Sequence, residues 1–199
     1  MDIIVKLKEE LKVEKWQVEA AVKLIDEGNT IPFISRYRKE ATGSLNDEVL
    51  RDLYERLTYL RNLEEKKEQV LKSIEEQGKL TDELKERIVA AETMVVVDDL
   101  YRPYRPKRKT RASVAKEKGL DGLADYIMAQ NAEAPIEEEA AKYLHEDEDA
   151  AKSVKTVEEA VQGAKDIIAE MISDEADYRI YIRDITMEEG KIVSTAKDE

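Results

Sequence analysis

Six cations fall within residues 101–111 of this chain: Arg102, Arg105, Lys107, Arg108, Lys109 and Arg111. No acid lies among them, and Tyr101, Pro103, Tyr104 and Pro106 are interleaved. Guanidinium groups offer planar, paired donors to phosphate, and a tyrosine ring offers a face on which a base can stack. Proline stiffens such a loop and lowers the entropy lost on binding. These are the parts that contact with a nucleic-acid backbone requires. The same residues support a second reading. Arginine and tyrosine also pack well between subdomains, and an acidic chain has carboxylates enough to neutralise its own basic loop. Tyr101 and Tyr104 are expected to be the more buried members, and Lys107, Arg108, Lys109 and Arg111 the more exposed. A smaller cluster, Arg36, Tyr37, Arg38 and Lys39, follows the only phenylalanine, Phe33, and carries the same ambiguity, with Glu40 beside it. The candidate nucleic-acid-binding residues are therefore Arg36, Arg38 and Lys39 together with the six cations of 101–111.

Other chemistries find few parts. The single histidine, His145, stands beside an acidic run, Glu146 to Asp149, and there is no cysteine. A thiolate nucleophile, a disulfide and a sulfur-ligated metal are excluded, and no second histidine exists to complete a metal site. The chain lacks GxxxxGK[ST], GxSxG and GxGxxG. Its many carboxylates lie on Glu/Lys-rich helix faces, where solubility and pairing four residues apart account for them. The expectation is a binding module and not an enzyme, with no catalytic residue, metal, cofactor or small-molecule substrate.

The formal net charge is −13 and the pI about 4.8. A uniform field of that sign repels nucleic acid, but charges are screened beyond about 8 Å at physiological salt, so a local basic segment can still act. No apolar stretch has the length of a signal peptide at the N-terminus or of a membrane span anywhere. With the lack of cysteine, this points to a cytoplasmic protein without a membrane partner.

The elements that must position these residues are helices. Charged residues make up 40% of the chain, while Gly (7) and Pro (4) are scarce, which disfavours a many-stranded sheet. Ile4, Leu7 and Leu11 predict a short helix, and Val18, Ala21, Val22 and Ile25 a second one ending at Gly28. Residues 29–45 read as a loop with at most one or two helical turns, because Pro32 biases Ile31 away from helix. Leu50, Leu53, Leu57, Leu60, Leu71 and Ile74 predict one helix of about 30 residues, capped by Asn46 or Asp47 and closed by Gly78. Its middle, around Lys66 and Lys67, reads as solvated or as a bridge between subdomains. Thr81 caps a further helix, and Met94 to Val97 reads as helix although its β-branched run would also suit a strand. Short helices follow at 111–118, 121–130 and 136–145. Thr156 with Glu159 fits a capping box for a helix through Met171. Ser173 reads as the cap of a continuation carrying Ile180, Tyr181, Ile182 and Ile185. The predicted fold is all-α and multihelical, with two subdomains linked by one long helix. The segments are 1–78, a smaller helical subdomain at 79–150 bearing the basic loop, and C-terminal helices at 151–199 returning to the first subdomain.

The stretches IPFISRYRKEATGSLNDEVLRDLYERL, DLYRPYRPKRKTRASVAKEKGLDGLAD and EEAVQGAKDIIAEMISDEADYRIYIRD resemble, in order and spacing, the N-terminal region of the bacterial Tex proteins. These are transcription accessory proteins related to a eukaryotic transcription elongation factor. The resemblance implies longer full chains, which continue into an RNase H-like domain, helix-hairpin-helix elements and an OB-fold RNA-binding domain. It also implies that this chain is an N-terminal fragment and that RNA or DNA is bound mainly through the domains it lacks. Its own role is then scaffolding, with a surface for RNA polymerase or other partners. No catalytic residue carries over. Met94-Val95-Val96-Val97 is more apolar than the family pattern at that place. The alternative is a protein-interaction scaffold with no nucleic-acid contact of its own.

Overall fold

A computed structural model describes residues 2–106, 108–130, 134–149 and 151–196. Among them the regular structure is helical: eleven α-helices, no strand, and one isolated bridge between His145 and Val154. The chain divides into two compact units, Met1–Asp98 and Asp99–Glu199. The dividing point falls later than the turn at Gly78 because the helix Asp82–Ala90 packs back on the helix Asp47–Glu76.

In the first unit α1 (Ile3–Leu11), α2 (Lys15–Asp26), α3 (Ile31–Tyr37) and α5 (Asp82–Ala90) all pack on α4 (Asp47–Glu76). Leu50, Leu53, Leu57, Leu60, Leu63, Lys67, Val70 and Ile74 of α4 are buried, stepping by three and four as one face of a helix must. Leu7, Val18, Ala21, Ile34 and Ile88 from the other helices join them in the core. Each fully buried leucine contributes roughly 2 kcal/mol relative to exposure. The Asn46 side chain accepts from the Val49 amide at 2.8 Å and starts α4. Two fork-shaped ion pairs fasten the same helix: Arg56 to Glu10 of α1 at 2.6 and 2.8 Å, and Arg61 to Asp26 of α2 at 2.7 and 2.8 Å.

Two local expectations change. Lys67 is not solvated: it is 3% exposed, and its ammonium donates to Glu64 at 2.9 Å and to the Val89 carbonyl near the end of α5 at 2.8 Å. A lysine sits in the apolar stripe because its stem fills space while its head satisfies a carbonyl left over at a helix C-terminus. Ile31 is helical, since Pro32 falls in the first turn of α3, where a missing N–H costs nothing. Met94 to Val97 is helical, within α6 (Met94–Tyr101).

In the second unit α10 (Val157–Asp174) is the centre, against which α7 (Arg111–Glu117), α8 (Asp121–Ala129), α9 (Ile136–Ala141) and α11 (Ala176–Glu189) pack. Residues 157–174 thus share one core with 111–141: Ala160, Ala164 and Ile167 lie with Ala112, Ala115, Leu120, Leu123, Ala124 and Ala140. Gly163 permits this closeness, as a Cβ there would stand 2.4 Å from Leu120 Cδ1. Glu175, not Ser173, is the N-cap of α11. Thr156 caps α10 by accepting from the Glu159 amide at 3.1 Å, but Glu159 returns to the Lys155 amide, one residue before the cap.

Candidate nucleic-acid interface

The basic segment of the second unit is built by its breakers. Arg102–Tyr104 forms a single 3-10 turn after α6, and Arg105 leaves it extended. Thr110 then starts α7 through a reciprocal pair: its hydroxyl accepts from the Ser113 amide at 3.0 Å, and Ser113 Oγ accepts from the Thr110 amide at 2.9 Å. That cap, legible as Thr-x-x-Ser but not anticipated, fixes Arg111 in the first turn of the helix.

Arg102, Arg105, Arg108 and Arg111 line one side of an open cleft of about 590 Å³. Asp166, Glu170 and Asp174 of α10 line it too, four residues apart and so on one face of that helix. Arg102 Nε donates to Asp174 Oδ1 at 2.9 Å, and Lys109 pairs with Glu117 at 3.2 Å. The Arg105 guanidinium lies 5.6 Å from the centre of the Tyr101 ring. Arg108 and Arg111 are exposed, and among the described residues no carboxylate stands within ion-pairing distance of either. Neutralisation by the protein's own acids is therefore partial: it takes Arg102 and Lys109 and leaves Arg108 and Arg111. Tyr101 and Tyr104 are half-buried, and Lys107 lies outside the described residues.

Arg36, Arg38 and Lys39 belong to the first unit and are all exposed. The chain turns sharply after α3: the Ala41 and Thr42 amides donate to the Arg38 carbonyl, and the Ser44 amide donates to that of Lys39 at 2.7 Å. Thr42 is fully buried and its hydroxyl reaches the Arg38 and Lys39 carbonyls at 3.3 and 3.4 Å. Gly43 closes the turn at φ +62°, with the Trp16 ring so near that a Cβ would meet it at 2.5 Å. The buried threonine and the indole anchor the backbone, which leaves the three cations in solvent. Phe33 and Tyr37, one helical turn apart, have ring centres 5.3 Å apart, and the Arg38 guanidinium lies 5.5 Å from the Phe33 centre. No ion pair joins Arg36, Arg38 or Lys39 to a described residue, Glu40 included.

A third charged cluster went unread in the sequence. Asp99, 3% exposed, accepts from Arg179 Nε at 2.6 Å and from the Arg183 guanidinium. Burial works against its charge, but the hydrogen bonds from Arg179 and Arg183 outweigh this and hold the carboxyl below its ordinary range. The pairs are 80 and 84 residues apart, so no local spacing announced them. They also orient α11. Its arginines face inward, whereas Tyr181, Ile182 and Met187 are 65%, 60% and 82% exposed. His145 is exposed, its Nδ1 3.0 Å from the Tyr143 carbonyl. Among the described residues no group of three or more metal-ligating side chains comes together, and no helix is long and apolar enough to cross a membrane.

Residues 1–75 match the family model described as Tex-like protein N-terminal domain. The chain is 46% identical over 192 residues to the transcriptional accessory protein Tex of Neisseria gonorrhoeae, covering 96% of this chain and 24% of that protein. It is 46% identical over 186 residues to protein YhgF of Escherichia coli, covering 94% and 23%. Against S1 RNA-binding domain-containing protein 1 of Homo sapiens the identity is 29% over 185 residues, covering 92% and 18%. The chain spans about a quarter of the length of the bacterial relatives it matches.

Proposed function

Since this chain belongs to the Tex family of transcription accessory proteins and matches its N-terminal region, we propose that it is a non-catalytic helical scaffold that adds a weak contact to RNA or DNA. The observation that carries this reading is the cleft of 102–111, where Arg108 and Arg111 are exposed and unmatched on an otherwise acidic chain. Such groups bind phosphate oxygens without reading sequence and release counterions as they do so. The relative named for RNA binding supports a nucleic-acid partner. The protein acts in the cytoplasm, and the rest of a longer family member supplies the main affinity. Titration of labelled single- and double-stranded oligonucleotides at low and moderate salt tests the contact. Binding that weakens steeply with salt is the expected result, and no binding at low salt removes it.

A second reading has its own observation. The exposed Tyr178, Tyr181, Ile182 and Ile185 of α11 share one face of the helix, an apolar surface suited to a protein partner, with RNA polymerase or downstream domains as the candidates. A pull-down with the polymerase that ignores Tyr181→Glu and Ile182→Glu would count against it.

A further inference from the structure

The two basic-aromatic segments look alike in sequence and differ in what they present. In 101–111 both tyrosines are half-buried, and the Tyr101 ring already lies beside a guanidinium of its own segment. The exposed polar groups there are cations, which suits phosphate. In 33–39 the aromatic member is outside: Tyr37 is 68% exposed, stands at the last turn of α3, and is flanked in sequence by Arg36, Arg38 and Lys39.

Phe33 accounts for the arrangement. It is 37% exposed, Tyr37 backs onto it from the following turn, and the Arg38 guanidinium stands 5.5 Å from it. The tyrosine is thereby braced on its inner side while most of its surface meets water. The anchored 38–44 turn fixes the three cations beside it. Arg36, Tyr37, Arg38 and Lys39, together with Glu40 and Ala41, line a shallow groove of about 340 Å³, in which three cations face one acid. A braced, exposed ring beside unpaired cations is a stacking platform with a charged track, the combination that holds unpaired bases. A duplex offers such a ring no open base face.

We propose that Tyr37 stacks on an unpaired base while Arg36, Arg38 and Lys39 hold the adjoining phosphates, which makes this patch a single-strand site distinct in chemistry from the 102–111 cleft. This rests on the reading that the chain contacts nucleic acid. The test measures affinity of the whole chain at low salt for a labelled pyrimidine-rich oligonucleotide, single-stranded and annealed to its complement. Tyr37→Ala is expected to weaken single-strand binding about tenfold and leave the duplex unchanged, whereas Tyr37→Phe, which keeps the ring, stays near wild type. Tyr37 is exposed, so its replacement leaves the core intact, and circular dichroism of each variant checks the fold. Equal loss for both nucleic acids, no loss at all, or a Tyr37→Phe variant as weak as Tyr37→Ala overturns the assignment. If wild type binds and only Arg108→Ala/Arg111→Ala weakens it, the stacking site falls while the contact stands. If wild type binds neither form, both fall.

Discussion

Replacing Arg108 and Arg111 together by alanine should change the salt dependence of binding more than its strength at low salt. Each phosphate contact to a single strand adds about 0.7 to the slope of log affinity against log salt. The structure leaves these two guanidiniums without a carboxylate, so each should count fully, and the double variant should lose about 1.4 from the slope. Between 50 and 200 mM salt, such a slope corresponds to about a sevenfold fall in affinity, which the variant no longer shows. Arg102 supplies the internal control. Its Nε is already held by Asp174 at 2.9 Å, so Arg102→Ala should leave the slope within error. Fluorescence anisotropy of a labelled single strand, titrated at four salt concentrations, gives each slope directly. The reasoning is refuted if the double variant keeps the wild-type slope while still binding, or if Arg102→Ala lowers it as much as the pair does.

Other predictions concern the framework. Asp99→Asn strands Arg179 and Arg183 at a nearly buried site. Complete burial would put the loss at about 3–5 kcal/mol, but both arginines are a third exposed, so about 2 kcal/mol is expected. Hydrogen exchange should quicken first in α11. The folded carboxyl of Asp99 titrates below its ordinary value of 3.8, so its stabilisation is present above that pH and fades as pH falls through the lower folded value. Far-ultraviolet circular dichroism should register loss of α11 helicity in that acid range, earlier in Arg179→Gln. Lys67→Ala leaves the Val89 carbonyl without its donor and opens a cavity in the α4 stripe, for about 2–3 kcal/mol by urea denaturation. Gly163→Ala forces Leu120 aside in a closed core and should lower stability by about 1–2 kcal/mol in the same measurement.

The long helix was legible because two signals agreed: leucines stepping by three and four, and an asparagine and a glycine at the two ends. The structure gives Asp47–Glu76, capped by Asn46 and followed by Gly78 at φ +67°. The caps at Thr81 and Thr156 were legible for the same local reason. Lys67 was not, since a charge in an apolar stripe looks solvated until the carbonyl it serves, 22 residues on, is in place. For α11 the sequence marked Ile180, Tyr181, Ile182 and Ile185 as apolar without saying which way the helix faces, and it is a buried carboxylate from residue 99 that draws Arg179 and Arg183 inward. In the basic segment the residue types were evident from the sequence, and Arg108, Lys109 and Arg111 are exposed as expected, while Lys107 lies outside the described residues. Which cations are neutralised was not evident, because the partner of Arg102 lies 72 residues away.

The indole resting on Gly43 gives the chain a built-in optical gauge. Trp16 is its sole tryptophan and belongs to the first unit, so emission excited at the red edge of the spectrum comes from that unit alone. Melting followed by that emission tracks 1–98, and melting followed by helicity tracks both units. A gap between the two curves would measure how independently the halves of the chain come apart.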